Sequence, residues 1–143
     1  MSTSTAVPVI NYILSFELFL GGQARLTSLL TPTLHKRAMS KASGTQKYLS
    51  FIPISDPILH SKFIGGLMCL AGSMLLMRST RRVGSLLSGS LSVAGIYSQS
   101  KMRIPYWLPC LNTVLAVVIF LGSGELMSLL SSVTLRVIFL LID

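Results

Sequence analysis

The chain has 143 residues, 51% hydrophobic and 11% charged, against about 25% charged in an ordinary soluble domain. So few charges cannot cover a soluble surface, and with a mean hydropathy of +0.71 the apolar excess calls for lipid as its solvent. The length leaves room for one domain, and the net charge of +8 does not mark a nucleic-acid binder: eleven of the twelve Lys and Arg residues lie between Arg25 and Arg103, at or between apolar segments, where membrane topology and anionic headgroups select them.

The expected architecture is all-α, an integral membrane four-helix bundle with room for a fifth, C-terminal helix. The first apolar stretch covers residues 7–22 and is broken only by Asn11, Ser15 and Glu17. It is short, yet within reach of the roughly 17–25 residues a span requires. No Lys or Arg precedes it, unlike the basic region of a cleavable signal peptide, so it is expected to stay as a span. Residues 23–61 form a long polar connection carrying Arg25, Lys36, Arg37, Lys41 and Lys47 among the loop formers Pro32, Gly44, Pro53 and Pro57. A structureless stretch of that length reads as a lid or binding element, with residues 48–52 resting on the membrane surface.

The second span is expected over 63–77, stopped by Arg78, Arg81 and Arg82, and the third follows at once over 83–97. Helices so tightly joined must be antiparallel neighbours. Gly65, Cys69 and Ser73 recur four apart on one, and Gly84, Ser88 and Ser92 on the other. Such small faces let backbones approach in lipid. After the Lys101, Arg103 and Pro105 turn, the fourth span covers 106–121, with Tyr106 and Trp107 suited to the interface. The apolar segment 126–142 places Ser128, Ser131, Ser132 and Arg136 on one face, either along the interface or returning as a fifth helix. The basic tally, eight on the side of the long connection against three opposite, places that connection in the cytosol.

Glu17 lies seven residues before Ala24 and Asn112 seven after Pro105, each roughly 10 Å below the same surface at 1.5 Å per residue. Tyr97 ends the third span on that side, and Asp56 and His60 precede the second. These groups are expected to share one half-membrane pocket. An ionisable side chain within a span usually faces a cavity or a partner, and a neutral carboxyl is what a general acid needs. Glu17 is therefore the candidate acid; the alternative is a structural glutamate bonded to Asn112 or a serine. Asp56 is the candidate base with His60 as its orienter, against an N-cap and an interfacial histidine. Asn112, Tyr97 and Trp107 are candidate substrate-binding residues, with helix packing or the aromatic belt as the alternative. His35 reads as a solvated loop residue, Glu125 as a helix cap, and Cys69 and Cys110 as small hydrophobes. No CxxC, zinc spacing or phosphate-binding glycine motif occurs, so neither a metal nor a cofactor is expected.

Several short motifs carry a family resemblance: Phe19-Leu20-Gly21-Gly22, Pro57 with Phe63-Ile64-Gly65-Gly66-Leu67, Arg81-Arg82-Val83-Gly84, and Pro109-Cys110-Leu111-Asn112. Their order, over residues 7–122, resembles that of the DoxX-like small membrane proteins. The resemblance implies a four-helix membrane bundle, with some members tied to quinone or sulfur redox complexes, and it transfers no catalytic residue. The tail after Gly122 departs from the family. Similar small fungal membrane proteins accompany polyketide and terpenoid pathways, and some are assigned epoxide opening or cyclisation. What this implies is a cofactor-independent epoxide hydrolase or cyclase in the endoplasmic reticulum membrane, taking a lipophilic polyketide or terpenoid epoxide. Its partners are then membrane lipids and no nucleic acid, with a homo-oligomer or a partner membrane enzyme left open. The rival reading is an accessory subunit of a membrane redox complex. Thiol–quinone chemistry like that of the vitamin K epoxide reductase family is disfavoured, because it uses the absent CxxC.

Overall fold

The computed structural model describes residues 3–122, with side chains from residue 8 onward. All six elements among the described residues are helices: α1 Thr3–Leu26, α2 Pro32–Ser40, α3 Ala42–Tyr48, α4 Pro57–Leu76, α5 Arg81–Lys101 and α6 Trp107–Gly122. The four long helices form a ring. The α1–α4 and α5–α6 seams are the most extensive, α4–α5 is intermediate, and α1–α6 closes the ring most narrowly. Among the described residues, one helix, α4, is long and apolar enough to cross a membrane; α6 is apolar but shorter.

Two expectations about chain organisation are corrected here. The connection at 23–61 is mostly helical: α1 continues to Leu26, α2 and α3 follow, and α4 begins at Pro57 rather than near residue 63. Proline explains both starts. Its fixed φ and missing N–H suit the first helical turn, where that donor has no partner, so Pro32 and Pro57 open helices instead of marking a loop. Likewise α5 runs past residue 97 to Lys101. The segment 126–142, with Glu125 and Arg136, lies outside the described residues.

Each long helix turns a stripe of small or polar residues inward at helical spacing. On α1 these are Asn11, Leu14, Ser15, Leu18 and Gly22; on α5 they are Gly84, Ser85, Ser88 and Ser92. The outward faces carry Tyr12, Ile13 and Phe16, then Val83, Leu86 and Val93, then Leu111, Val114 and Val117. The apolar core proper, Leu14, Leu18, Ala71, Leu75, Ala116 and Ile119, sits toward the α4–α5 turn.

The α1–α4 seam is antiparallel, as its contacts show. Asn11 Nδ2 donates to Leu75 O at 2.7 Å, and Arg25 Nη1 donates to Ser61 Oγ at 3.1 Å. Between them Gly22 lies on Gly65 so closely that a Cβ on Gly22 would come 2.7 Å from the Gly65 carbonyl and 2.6 Å from Cys69 Sγ. The Gly65–Cys69 face therefore packs on α1, not on α5 as its spacing led us to expect. Gly84 does meet α4: a Cβ there would come 2.9 Å from Leu75 N.

Helix ends are closed by identifiable partners. A helix leaves its last carbonyls without donors, and at the end of α4 these are supplied by Thr80 Oγ1 to Met74 O (3.0 Å) and by Asn11 and Arg81 Nε to Leu75 O. At the end of α5, Arg103 takes a left-handed conformation with φ 56°. Ile104 N then bonds Gln99 O, and Arg103 N bonds Ser100 O, which is the Schellman pattern.

Candidate functional site

The structure brings the Asn112 side chain within interaction range of the Glu17 carboxyl. Glu17 Oε1 and Asn112 Oδ1 are both buried and have no hydrogen-bond partner. Glu17 is half-buried, next on α1 to the buried Leu14 and Leu18. Asn112 follows Pro109 by three residues on the buried stripe of α6.

Asp56 and His60 do not join this pair. Asp56 is exposed and caps α4, its Oδ1 accepting from Ile58 N at 2.9 Å. His60 is 0% exposed, with neither ring nitrogen bonded. The α1–α4 register locates both. Pairs Asn11–Leu75 and Arg25–Ser61 place Glu17 level with Cys69. His60 is nine residues from there, about 14 Å along the axis at 1.5 Å per residue, and Asp56 about 20 Å. A single reacting bond cannot be served by groups so far apart.

Tyr97 and Trp107 point outward. Tyr97 is 50% exposed and Trp107 67%, and the Lys101 ammonium sits over the Tyr97 ring at 5.9 Å. An aromatic body with a cation beyond it suits a boundary between apolar and aqueous surroundings. Neither residue approaches the Glu17–Asn112 pair from the interior. The cysteines are free; Cys69 fills space beside Gly22. Among the described residues no group of three or more His, Cys, Asp or Glu could hold a metal ion.

A second polar cluster, unread in the sequence, gathers where α1 ends and α4 begins. Arg25 lies three residues beyond the first apolar stretch and bonds Ser61, itself fully buried. The guanidinium is partly buried, and no carboxylate among the described residues pairs with it. His35 Nδ1 donates to Ala24 O at 2.8 Å. Beside them opens a cavity of about 410 Å³ lined by Leu26, Leu29, Met39, Ile58, His35 and Lys62, together with two hydroxyl residues. A second cavity, about 450 Å³, runs along the outside of the α5–α6 seam by Gly89, Ser90, Thr113 and Phe120. The signal for the first cluster was present in the chain: Gly22 and Gly65 fix the helix register that sets Arg25 against Ser61. No protein-family model, curated protein or solved structure matches this chain, so the family resemblance rests on the sequence motifs alone.

Proposed function

We propose that this chain is an integral membrane protein whose helices α1, α4, α5 and α6 span the bilayer, and that it opens or cyclises an epoxide of a lipophilic polyketide or terpenoid. The membrane part is supported by an inverted distribution of polarity. Asn11, Ser15, His60, Ser61, Ser88 and Asn112 are buried, while Phe16, Leu70, Val93, Leu111 and Val117 are exposed. Water would select the opposite arrangement. Several hydroxyls bond to their own helices, as Ser88 Oγ does to Ser85 O and Thr113 Oγ1 to Pro109 O, which is how a helix carries them into an apolar solvent. The basic-residue tally favours α2 and α3 on the cytosolic side, and an endoplasmic reticulum location rests on the family resemblance alone.

The Glu17–Asn112 pair carries the chemical reading. A carboxylate only accepts hydrogen bonds, whereas a carboxylic acid also donates. A neutral Glu17 has a proton to donate from a buried carboxyl whose Oε1 has no partner. Such an acid protonates the epoxide oxygen as its C–O bond breaks. A substrate hydroxyl, or water, attacks the carbon, and its proton returns to Glu17, so that acid and base are one residue in turn. Asn112 holds the carboxyl in place. Asp56 serves as the α4 cap and no longer as the base.

The test is to incubate membranes containing the protein with a panel of lipophilic epoxides and to follow diols or cyclic ethers. Turnover lost in Glu17→Gln, at unchanged protein level, supports the reading; turnover retained there sinks it. One observation favours the accessory-subunit alternative: the outward groove on α5–α6 exposes Ser90 and flanks Gly89 with Ala116, the small-residue surface a partner helix takes. An accessory subunit tolerates Glu17→Gln and loses its partner when Gly89 becomes leucine.

A further inference from the structure

The cavity at the α1–α4 end combines features that no part of the proposed reaction uses. Leu26, Leu29, Met39 and Ile58 give it an apolar wall, and Leu29 and Ile58 are 86% and 53% exposed. Lys62 lies on the same face of α4 as Ile58, one turn on, and is exposed with no carboxylate partner among the described residues. His35 completes the lining. Its Nδ1 must be the donor to the Ala24 carbonyl, since a carbonyl only accepts, and this leaves Nε2 as the ring's free nitrogen. Arg25, the residue before Leu26, lies outside the lining, tied to the neutral Ser61 hydroxyl.

The balance of charge around the cavity is one-sided. Arg25, Lys36, Arg37, Lys41 and Lys62 belong to the segments that frame it. The described residues hold two acids, Glu17 inside the bundle and Asp56 on the α4 cap. Asp56 is the opposing charge nearest in sequence, and its Oδ1 is committed to Ile58 N. A partly desolvated cation without a carboxylate is normally met by an anion from outside the chain.

We propose that this cavity binds the phosphate headgroup of an anionic phospholipid, with Lys62 supplying the charge at the site and the leucine–isoleucine wall receiving the start of the acyl chain. The inference rests on the membrane reading above, not on the epoxide chemistry. It commits to an amphiphile rather than a free phosphate because half the lining has no use for a soluble anion. Headgroup attraction to basic residues at a span's end is a general membrane force; a concave apolar wall beside the cation is what makes this a site.

The experiment uses the full chain in detergent micelles, titrated with dioctanoyl phosphatidic acid, dioctanoyl phosphatidylcholine or inorganic phosphate, and reads thermal stability and heat of binding. The expected result is saturable stabilisation by phosphatidic acid alone, weakened about tenfold in Lys62→Gln and restored in Lys62→Arg. Lys47→Gln, an exposed charge on α3 away from the cavity lining, leaves it unchanged. Equal weakening by Lys47→Gln shows diffuse charge attraction and overturns the site. Equal binding of phosphatidylcholine, or of inorganic phosphate, overturns it too. Recovery of the protein in the soluble fraction instead of the membrane fraction overturns the reading beneath it.

Discussion

Gly22 and Gly65 meet backbone to backbone where α1 crosses α4, each occupying the space a Cβ on the other would need. A methyl on Gly65 would come 2.8 Å from Arg25 Cβ and 2.9 Å from the Gly22 carbonyl. Backbone cannot retreat as a flexible side chain can, so Gly65→Leu should separate the helices and abolish the folded species in fluorescence-detected size exclusion. Gly66, with nothing within 4 Å of its added Cβ, is the control. Gly66→Ala should be neutral or stabilising by up to about 1 kcal/mol, the helix-propensity difference.

Arg103 pays for its position at the Schellman turn. A left-handed residue with a Cβ is disfavoured by roughly 1–2 kcal/mol, and glycine removes that strain. Arg103→Gly should therefore raise the thermal unfolding midpoint, by an amount equivalent to about 1 kcal/mol. A lowered midpoint would show that the guanidinium contributes more than its backbone costs.

Asp56 separates two roles by experiment. As a cap it contributes about 1 kcal/mol, so Asp56→Ala should lower stability by that amount while Asp56→Asn preserves it. Neither change should alter epoxide turnover per folded molecule. A collapse of turnover in Asp56→Asn, with stability intact, would return the residue to the reaction.

His60 is buried with both nitrogens unbonded. A buried polar group left unsatisfied costs about 1–3 kcal/mol, and an apolar replacement of similar size relieves it. His60→Leu should accordingly unfold at a higher temperature than the parent in the same detergent. A fall of several degrees would reveal a bonding partner for the ring.

The helical class and the four long helices were legible because apolar runs, basic turns and small-residue spacing all bear on the same elements. The partnering of the small faces was not. Spacing shows that Gly65, Cys69 and Ser73 share a face, but not which neighbour that face meets; the register with Gly22 decides for α1. Glu17 and Asn112 could be matched by counting depth from the span ends. Asp56 and His60 could not be placed by the same count, because α4 begins at Pro57 and lifts them further from Glu17 than a start near residue 63 would. The polar connection concealed α2 and α3, whose stability comes from packing on α1 and α4 more than from any apolar periodicity of their own.

Ser85, Ser88 and Ser98 on α5 each donate to a carbonyl three residues earlier. Their hydroxyls are thus settled before the helix has any neighbour. The α4–α5 hairpin can therefore form with these three hydroxyls already bonded. What α6 then meets on that face is a matter of shape, with none of these three bonds to be broken and remade.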